Sequence, residues 1–176
     1  MEPSHFAIGL GALDFSLGRD FLFSRGFAHA GIGWSTTTGP EEGMNLRILV
    51  DDNHVEGHYL LAVASNIRHY IGGLAEISPK AYLDDGLMDL WLFSGSTLVD
   101  AFRHFFDMQS GRHLTSEQAR CIPFRRASIE SGTPFSLQMD GEPMLGTQHA
   151  SLEVLQRSLH VLIPPSARYL LSSEKV

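Results

Sequence analysis

From Met44 onward the chain alternates, with Leu46, Ile48 and Val50 set against Asn45, Arg47 and Leu49. That is the period of a strand with one buried face. Asp51-Asp52-Asn53 then supplies turn chemistry, because short polar side chains bond nearby backbone and tolerate left-handed geometry. Val55 to Ser65 returns as a second strand, so the pattern predicts a hairpin. Asn66 to Gly86 is irregular, with Gly72-Gly73, Pro79 and Asp84-Asp85-Gly86. It is longer than a mere connection in a compact domain, and long loops of this kind commonly carry function. Leu87 to Phe93 reads as the next strand. Between Thr97 and Met108, Leu98, Phe102, Phe105 and Phe106 recur at the spacing of one helical face, which should pack on the sheet. Ser96 or Thr97 can cap this helix, Asp100 adds a favourable first-turn charge, and Gly111 can end it.

Short strands are expected at Ala127 to Glu130, Phe135 to Met139, Ser151 to Val154 and His160 to Ile163, with Asp140-Gly141-Glu142-Pro143 as a turn. Many short strands at close intervals predict a mainly β fold, an antiparallel β-sandwich with one or two helices. Residues 1–43 read differently. Phe6 to Phe27 mixes apolar residues with several glycines, and Thr36 to Gly43 is a polar loop, so this stretch is expected to be a connector preceding a β-domain at 44–176.

A length of 176 residues fits one domain. Apolar and charged fractions of 43% and 19% are those of a soluble globular protein. The net charge of -7 argues against nucleic acid as a partner, since no basic stripe is available to neutralise phosphates. It leaves room for a membrane surface, to which Arg125-Arg126 could contribute. The single Cys121 cannot form an intrachain disulfide and reads as a small core or surface residue rather than a nucleophile. The Met1 start has no signal-peptide pattern, and no apolar run is long enough to span a bilayer, so a cytoplasmic protein with at most peripheral lipid contact is expected. The nine histidines show no zinc spacing, and Ser131 and Ser136 lack the context of an elbow serine.

Four segments stand out: VASNIRHYIGGLAEISPKAYLDDGLMDLWLF at 63–93, SGRHL at 110–114 after the helix, RRASIES at 125–131 and FSLQMDGEP at 135–143. Together they resemble the diacylglycerol kinase catalytic-domain family, which includes bacterial lipid kinases, sphingosine kinases and, more distantly, NAD kinases. The resemblance spans about 44–163. It implies a two-domain kinase, with an α/β domain that holds ATP on a G-G-D-G-T loop, a β-sandwich domain, and the active site between them. This sequence contains no G-G-D-G-T and no P-loop pattern, and Gly9-Leu10-Gly11 and Gly31-Ile32-Gly33 do not qualify as dinucleotide fingerprints. FAHAGIG at 27–33 resembles the segment with which family members cross into the second domain, so 1–43 is also readable as a remnant of the interdomain segment.

Phosphoryl transfer to a hydroxyl needs magnesium to neutralise phosphate charge and a base to accept the proton. From the residues alone, Asp84-Asp85-Gly86 reads first as a hairpin turn, and Asp140-Gly141-Glu142 as a solvated one. The resemblance implies more. Matched residue by residue, it makes the Asp85 side chain and the carbonyls of Tyr82 and Leu87 a magnesium site. It makes Glu142 the base for a lipid hydroxyl, with Asp140 as a supporting acid, and sets Asn66, Tyr70, Gly72 and Gly73 beside the substrate cleft. The expected function is the substrate- and metal-binding half of an ATP-dependent lipid kinase, inactive without its nucleotide-binding domain. Its partners would be ATP and a lipid at the inner membrane face, with a homodimer left open. The alternatives are a non-catalytic lipid- or protein-binding sandwich and an NAD kinase-like enzyme.

Overall fold

The computed structural model describes residues 6–7, 30–33, 43–70, 75–139, 142–156, 158, 162 and 165–172. Its strands are β1 (Phe6–Ala7), β2 (Ala30–Gly33), β3 (Met44–Val50), β4 (Asn53–Ser65), β5 (His69–Tyr70), β6 (Ala75–Glu76), β7 (Met88–Ser94), β8 (Ala119–Phe124), β9 (Arg126–Met139) and β10 (Glu142–Glu153). One α-helix, α1 (Leu98–Gln109), and 3-10 turns at Arg112–Thr115 and Pro165–Leu170 complete the described elements.

Eight strands form one sheet, seven in the order β1-β10-β9-β2-β4-β7-β8 with β3 as the eighth paired to both β4 and β9, while β5 and β6 form a small separate ribbon. Pairing in the large sheet is antiparallel except between β1 and β10. The two long strands, β4 and β9, are bridged by two shorter ones set end to end. β3 pairs Leu46–Val50 with Ala127–Ser131 of β9 and all its length with Asn53–Tyr59 of β4. β2 fills the other half, opposite Leu61–Ala64 and Ser136–Met139. Ala30–Gly33, inside the stretch expected to be a connector, is therefore a strand of the sheet.

The alternation read in β3 holds, with Met44, Leu46, Ile48 and Val50 buried and Asn45, Arg47 and Leu49 outside. These side chains join Leu90 and Leu92 of β7, Phe124 of β8, Ile129 and Phe135 of β9, and Leu152 of β10 in one core. Strands from across the sheet can share a core only if the sheet coils on itself, and the result is the sandwich-like β-domain that the pattern predicts. A backbone bond from the Val154 amide to the Arg125 carbonyl (2.9 Å) fastens the corner, and the Asp51 carboxylate accepts the Arg126 amide (2.8 Å) there. Val63, Trp91 and Phe93 point to the opposite face, where Ile77 and Met108 cover them in a second core.

The α1 cap is the expected one. Thr97 Oγ1 accepts the Asp100 amide (3.1 Å), and Asp100 Oδ2 accepts the Ser96 and Thr97 amides (3.2 Å each). The Thr97 hydroxyl and these amides hold the Asp100 carboxyl below its ordinary range. The buried face is not the expected one. Ala101, His104 and Met108 are buried, Leu98 and Phe105 only half-buried, and Phe102 (53% exposed) and Phe106 (54%) face outward with Val99 (76%). His104 explains the rotation: its Nε2 donates to the Ser94 carbonyl (2.7 Å) and its ring lies against Phe93. A polar residue thus takes a core position that the apolar pattern assigns to phenylalanine.

Three further expectations change. The strands anticipated at 127–130 and 135–139 are one, β9; β8 was not anticipated; and Glu142 and Pro143 open β10 rather than lying in a turn. Of His160 to Ile163 only Leu162 is described, and it is in no strand.

Candidate functional site

The segment between β4 and β7 is tied down at its base. Arg68 receives the amides of Ile77 (2.8 Å) and Ser78 (3.3 Å) on its carbonyl, closing the β5–β6 ribbon. The buried Trp91 Nε1 donates to Ser78 Oγ (2.7 Å), which leaves the Ser78 hydroxyl free to donate onward to Asp89. His113, also buried, presents its two ring nitrogens to the carbonyls of Asp107 and Ile77 and its edge to Trp91. The loop leading to β7 therefore rests on polar contacts inside the second core.

The two acids of Asp84-Asp85-Gly86 do different work. Asp84 faces the carboxy-terminal segment: its carboxylate accepts the Ser172 amide, and its carbonyl accepts Gln156 Nε2 (3.1 Å). Asp85 turns into its own loop, with Oδ1 accepting the Leu87 amide (2.9 Å), a local bond that aspartate favours in turns. Among the described residues nothing donates to its Oδ2. Gly86 has φ +74, and a Cβ there would stand 2.9 Å from the Gln156 side chain, so both its backbone and its surroundings favour glycine.

Asp89, two residues into the same strand as the loop exit, is the functional candidate that motif reading passes over. Burial pushes its carboxyl up; hydrogen bonds from Ser78 and Cys121 oppose this, and the neighbouring Asp85 charge adds to it. Cys121 is exposed by surface area, yet its thiol lies beside Asp89, and burial together with that negative charge pushes it up to about 12. The thiolate is disfavoured there, which accords with a non-nucleophilic Cys121. The signal for Asp89 is present in the sequence as the third acid of D-D-G-L-M-D, but its burial is not.

These residues fit a hard cation. Magnesium takes few protein oxygens and keeps water for the rest, so one open carboxylate oxygen on Asp85 beside a second acid suffices, and a positive charge would relieve the repulsion between them. Among the described residues there is no cluster of three or more metal-ligating side chains.

Of the other expected site residues, Asn66 is half-buried just past β4, and the Tyr82 ring lies under the Arg68 guanidinium. Tyr70 pairs with Ala75 through its backbone; its side chain, like Gly72, Gly73 and Asp140, lies outside the described residues. Glu142 is placed by its backbone only, opposite Met139. The register still fixes its neighbourhood. Met139 lies opposite Ala30, Ala30 opposite Ala64, Ala64 opposite Leu90, and Ser65 opposite Asp89. The Met139–Glu142 pair, Asn66 and the Asp85 loop thus share one end of the sheet. From β10 through β9, β2 and β4 to β7 there are four steps, about 19 Å at about 4.8 Å per strand if the sheet were flat. Sheet coiling shortens this span, but Glu142 and Asp85 occupy separate parts of the same rim.

A profile of the YegS C-terminal NAD kinase beta sandwich-like domain matches residues 41–163. The chain belongs to that family. It is 27% identical over 157 residues to a probable YegS-like lipid kinase of Shewanella frigidimarina (strain NCIMB 400), a match that covers 88% of this chain and 48% of the relative. It is 30% identical over 90 residues to sphingoid long-chain bases kinase 1 of Arabidopsis thaliana, with 49% of this chain and 12% of the relative covered. The chain thus spans about half the length, or less, of these curated relatives. In fold it is similar to a crystal structure from Bacillus anthracis str. Sterne, provisionally assigned as a diacylglycerol kinase, with TM-score 0.59, 21% identity, and 74% of this chain and 42% of the other covered. No helix among the described residues is long and apolar enough to cross a membrane.

Proposed function

We propose that this YegS-family chain is the substrate- and metal-binding half of an ATP-dependent lipid kinase that phosphorylates a lipid hydroxyl at a membrane surface on the cytoplasmic side. The observation that supports the reading is that the Met139–Glu142 pair, Asn66 and the D-D-G-L-M-D loop lie at one sheet end, in a family whose named relatives include lipid kinases. Glu142 takes the hydroxyl proton as attack begins, with Asp140 supporting its charge. Asp85, with the carbonyls of Tyr82 and Leu87, would hold magnesium, which when bound supplies positive charge to the phosphate-rich cleft. Asn66, Tyr70 and the Gly72-Gly73 backbone line the lipid side. ATP is held by a nucleotide-binding domain carrying G-G-D-G-T.

The test is lipid phosphorylation by a protein in which this chain is joined to such a domain. Glu142→Gln keeps the shape and removes the proton acceptor, so the rate should fall roughly 10²- to 10⁴-fold without loss of thermal stability. Asp85→Asn should lose activity that raised magnesium partly restores. Near-full activity in Glu142→Gln, or loss in both variants through unfolding alone, would overturn the assignment.

A further inference from the structure

Arg68 connects two parts of the chain that are far apart in sequence. Its Nε donates to the Ala81 carbonyl (3.0 Å) and its Nη2 to the Tyr169 carbonyl (3.1 Å). Its guanidinium also lies over two rings, 4.9 Å from the Tyr82 centroid and 5.5 Å from that of Tyr169. A planar cation with a fork of donors suits this double stacking, and an ammonium cannot reproduce it. Three more bonds run the same way: the Leu83 amide to the Leu170 carbonyl (3.0 Å), the Ser172 amide to the Asp84 carboxylate, and Gln156 Nε2 to the Asp84 carbonyl. Each of these three joins Leu83 or Asp84 to a residue beyond β10. Pro165–Leu170 lies past the residues that the family profile matches.

We propose that Arg68 is a positioning residue that fastens the carboxy-terminal turn onto the 81–84 backbone and so presets Asp85 for a divalent cation. The metal part rests on the function proposed above; the clasp stands on its own contacts. No residue of the 165–172 turn is fully buried. The turn therefore has little apolar packing of its own, and its hold on the loop depends on these polar and stacking contacts. With the clasp closed, Asp84 is committed to Ser172 and the adjacent Asp85 is left to face the metal. With it open, the two carboxylates exchange freely between orientations.

The experiment compares Arg68→Gln, Arg68→Lys and Tyr169→Ala with the unmodified 176-residue chain by amide hydrogen exchange. Tyr169 is 56% exposed, so its truncation spares both cores. The Leu83 amide reports the clasp directly, the Leu87 amide reports the Asp85 turn, and Ile48 and Ile129 report the main core. Exchange at Leu83 and Leu87 should rise about tenfold or more in Arg68→Gln and Tyr169→Ala, with Ile48 and Ile129 unchanged, as expected for a local opening. Arg68→Lys, which keeps charge without the fork, should recover only part of the protection.

Manganese, added as a paramagnetic stand-in for magnesium, should broaden the Gly86 and Leu87 signals of the unmodified chain. The clasp variants should need several-fold more metal. Unchanged exchange at Leu83 and Leu87 would overturn the clasp. Faster exchange with an unaltered manganese response would overturn its role in presetting Asp85. An unmodified chain that takes no manganese at the loop would overturn the metal role given to Asp85 under the proposed function, while faster exchange in the variants would still support the clasp.

Discussion

Asp89 carries a free-energy penalty whenever it is ionised in the folded chain, because burial raises its carboxyl above the ordinary value of 3.8. A carboxyl raised in the folded state favours folding while it is protonated, at pH below its unfolded value. That contribution is lost as pH climbs through the raised folded value. Asp89→Asn removes the charge, so at pH 7 the variant should melt at a higher temperature than the parent. The advantage should shrink as pH falls toward 3.8 and vanish below it. Thermal unfolding of both proteins between pH 3.5 and 7 measures this, and a parent more stable than the variant at pH 7 would show that the Ser78 and Cys121 hydrogen bonds outweigh desolvation. The residue scale is also where sequence legibility is most uneven. The resemblance singles out Asp85 from Asp84, whereas their different partners, the Leu87 amide for Asp85 and the Ser172 amide for Asp84, are visible only in the structure. The turn chemistry of Asp51 is legible, whereas its second duty, holding the Arg125–Arg126 backbone from across the sheet, depends on tertiary contact.

At the scale of elements, α1 shows how a correct helix can be given the wrong face. Its cap and limits follow from Thr97, Asp100 and Gly111. Its rotation follows from the Ser94 carbonyl, which recruits His104 inward and turns Phe102 and Phe106 out. Phe102→Ser and Phe106→Ser should each change stability by no more than about 0.5 kcal/mol, as surface substitutions do. Phe93→Ala, which empties a fully buried site in the second core, should lose about 3–5 kcal/mol. Chemical denaturation of the three variants distinguishes this packing from the one the apolar spacing suggests, in which Phe102 would be the costly position. The strands miss the sequence pattern for equally local reasons. Ser131 to Pro134 looks like a break, yet β9 runs through it. The partner changes there: β3 stops pairing at Ser131 and β2 starts at Ser136, and the register against β10 shifts nearby. Pro134 therefore falls where an amide is least needed. β8 is hidden by weak alternation and by Pro123, which is tolerated because β8 is an edge strand of the sheet.

Across the whole molecule, hydrophobic patterning specifies a mainly β domain, because the alternation along β3 and the apolar runs of β4 and β7 are local properties that survive into the folded cores. The coiling that brings β8 back to the start of β9, and the passage of β2 between β4 and β9, depend on pairings distant in sequence and are not legible in the same way. The function has a similar division. The β-domain sets Glu142, Asn66 and the Asp85 loop at one rim, but the sequence supplies no phosphate-cradling loop, and its curated relatives are about twice as long or longer. A base is ineffective against a hydroxyl unless the phosphoryl donor is held in line with it, since most of the rate gain in such transfers comes from positioning and charge stabilisation. The purified 176-residue chain should therefore bind ATP weakly and give no lipid phosphorylation above background. Adding a family nucleotide-binding domain in the same polypeptide should produce turnover that depends on both Glu142 and the G-G-D-G-T loop. Radiolabel transfer from ATP to a panel of diacylglycerol, sphingoid base and phosphatidylglycerol vesicles reads the outcome. Turnover by the 176-residue chain alone, retained in a preparation cleared of contaminating kinase and abolished by Glu142→Gln, would mean that this chain holds nucleotide by a route its sequence does not advertise.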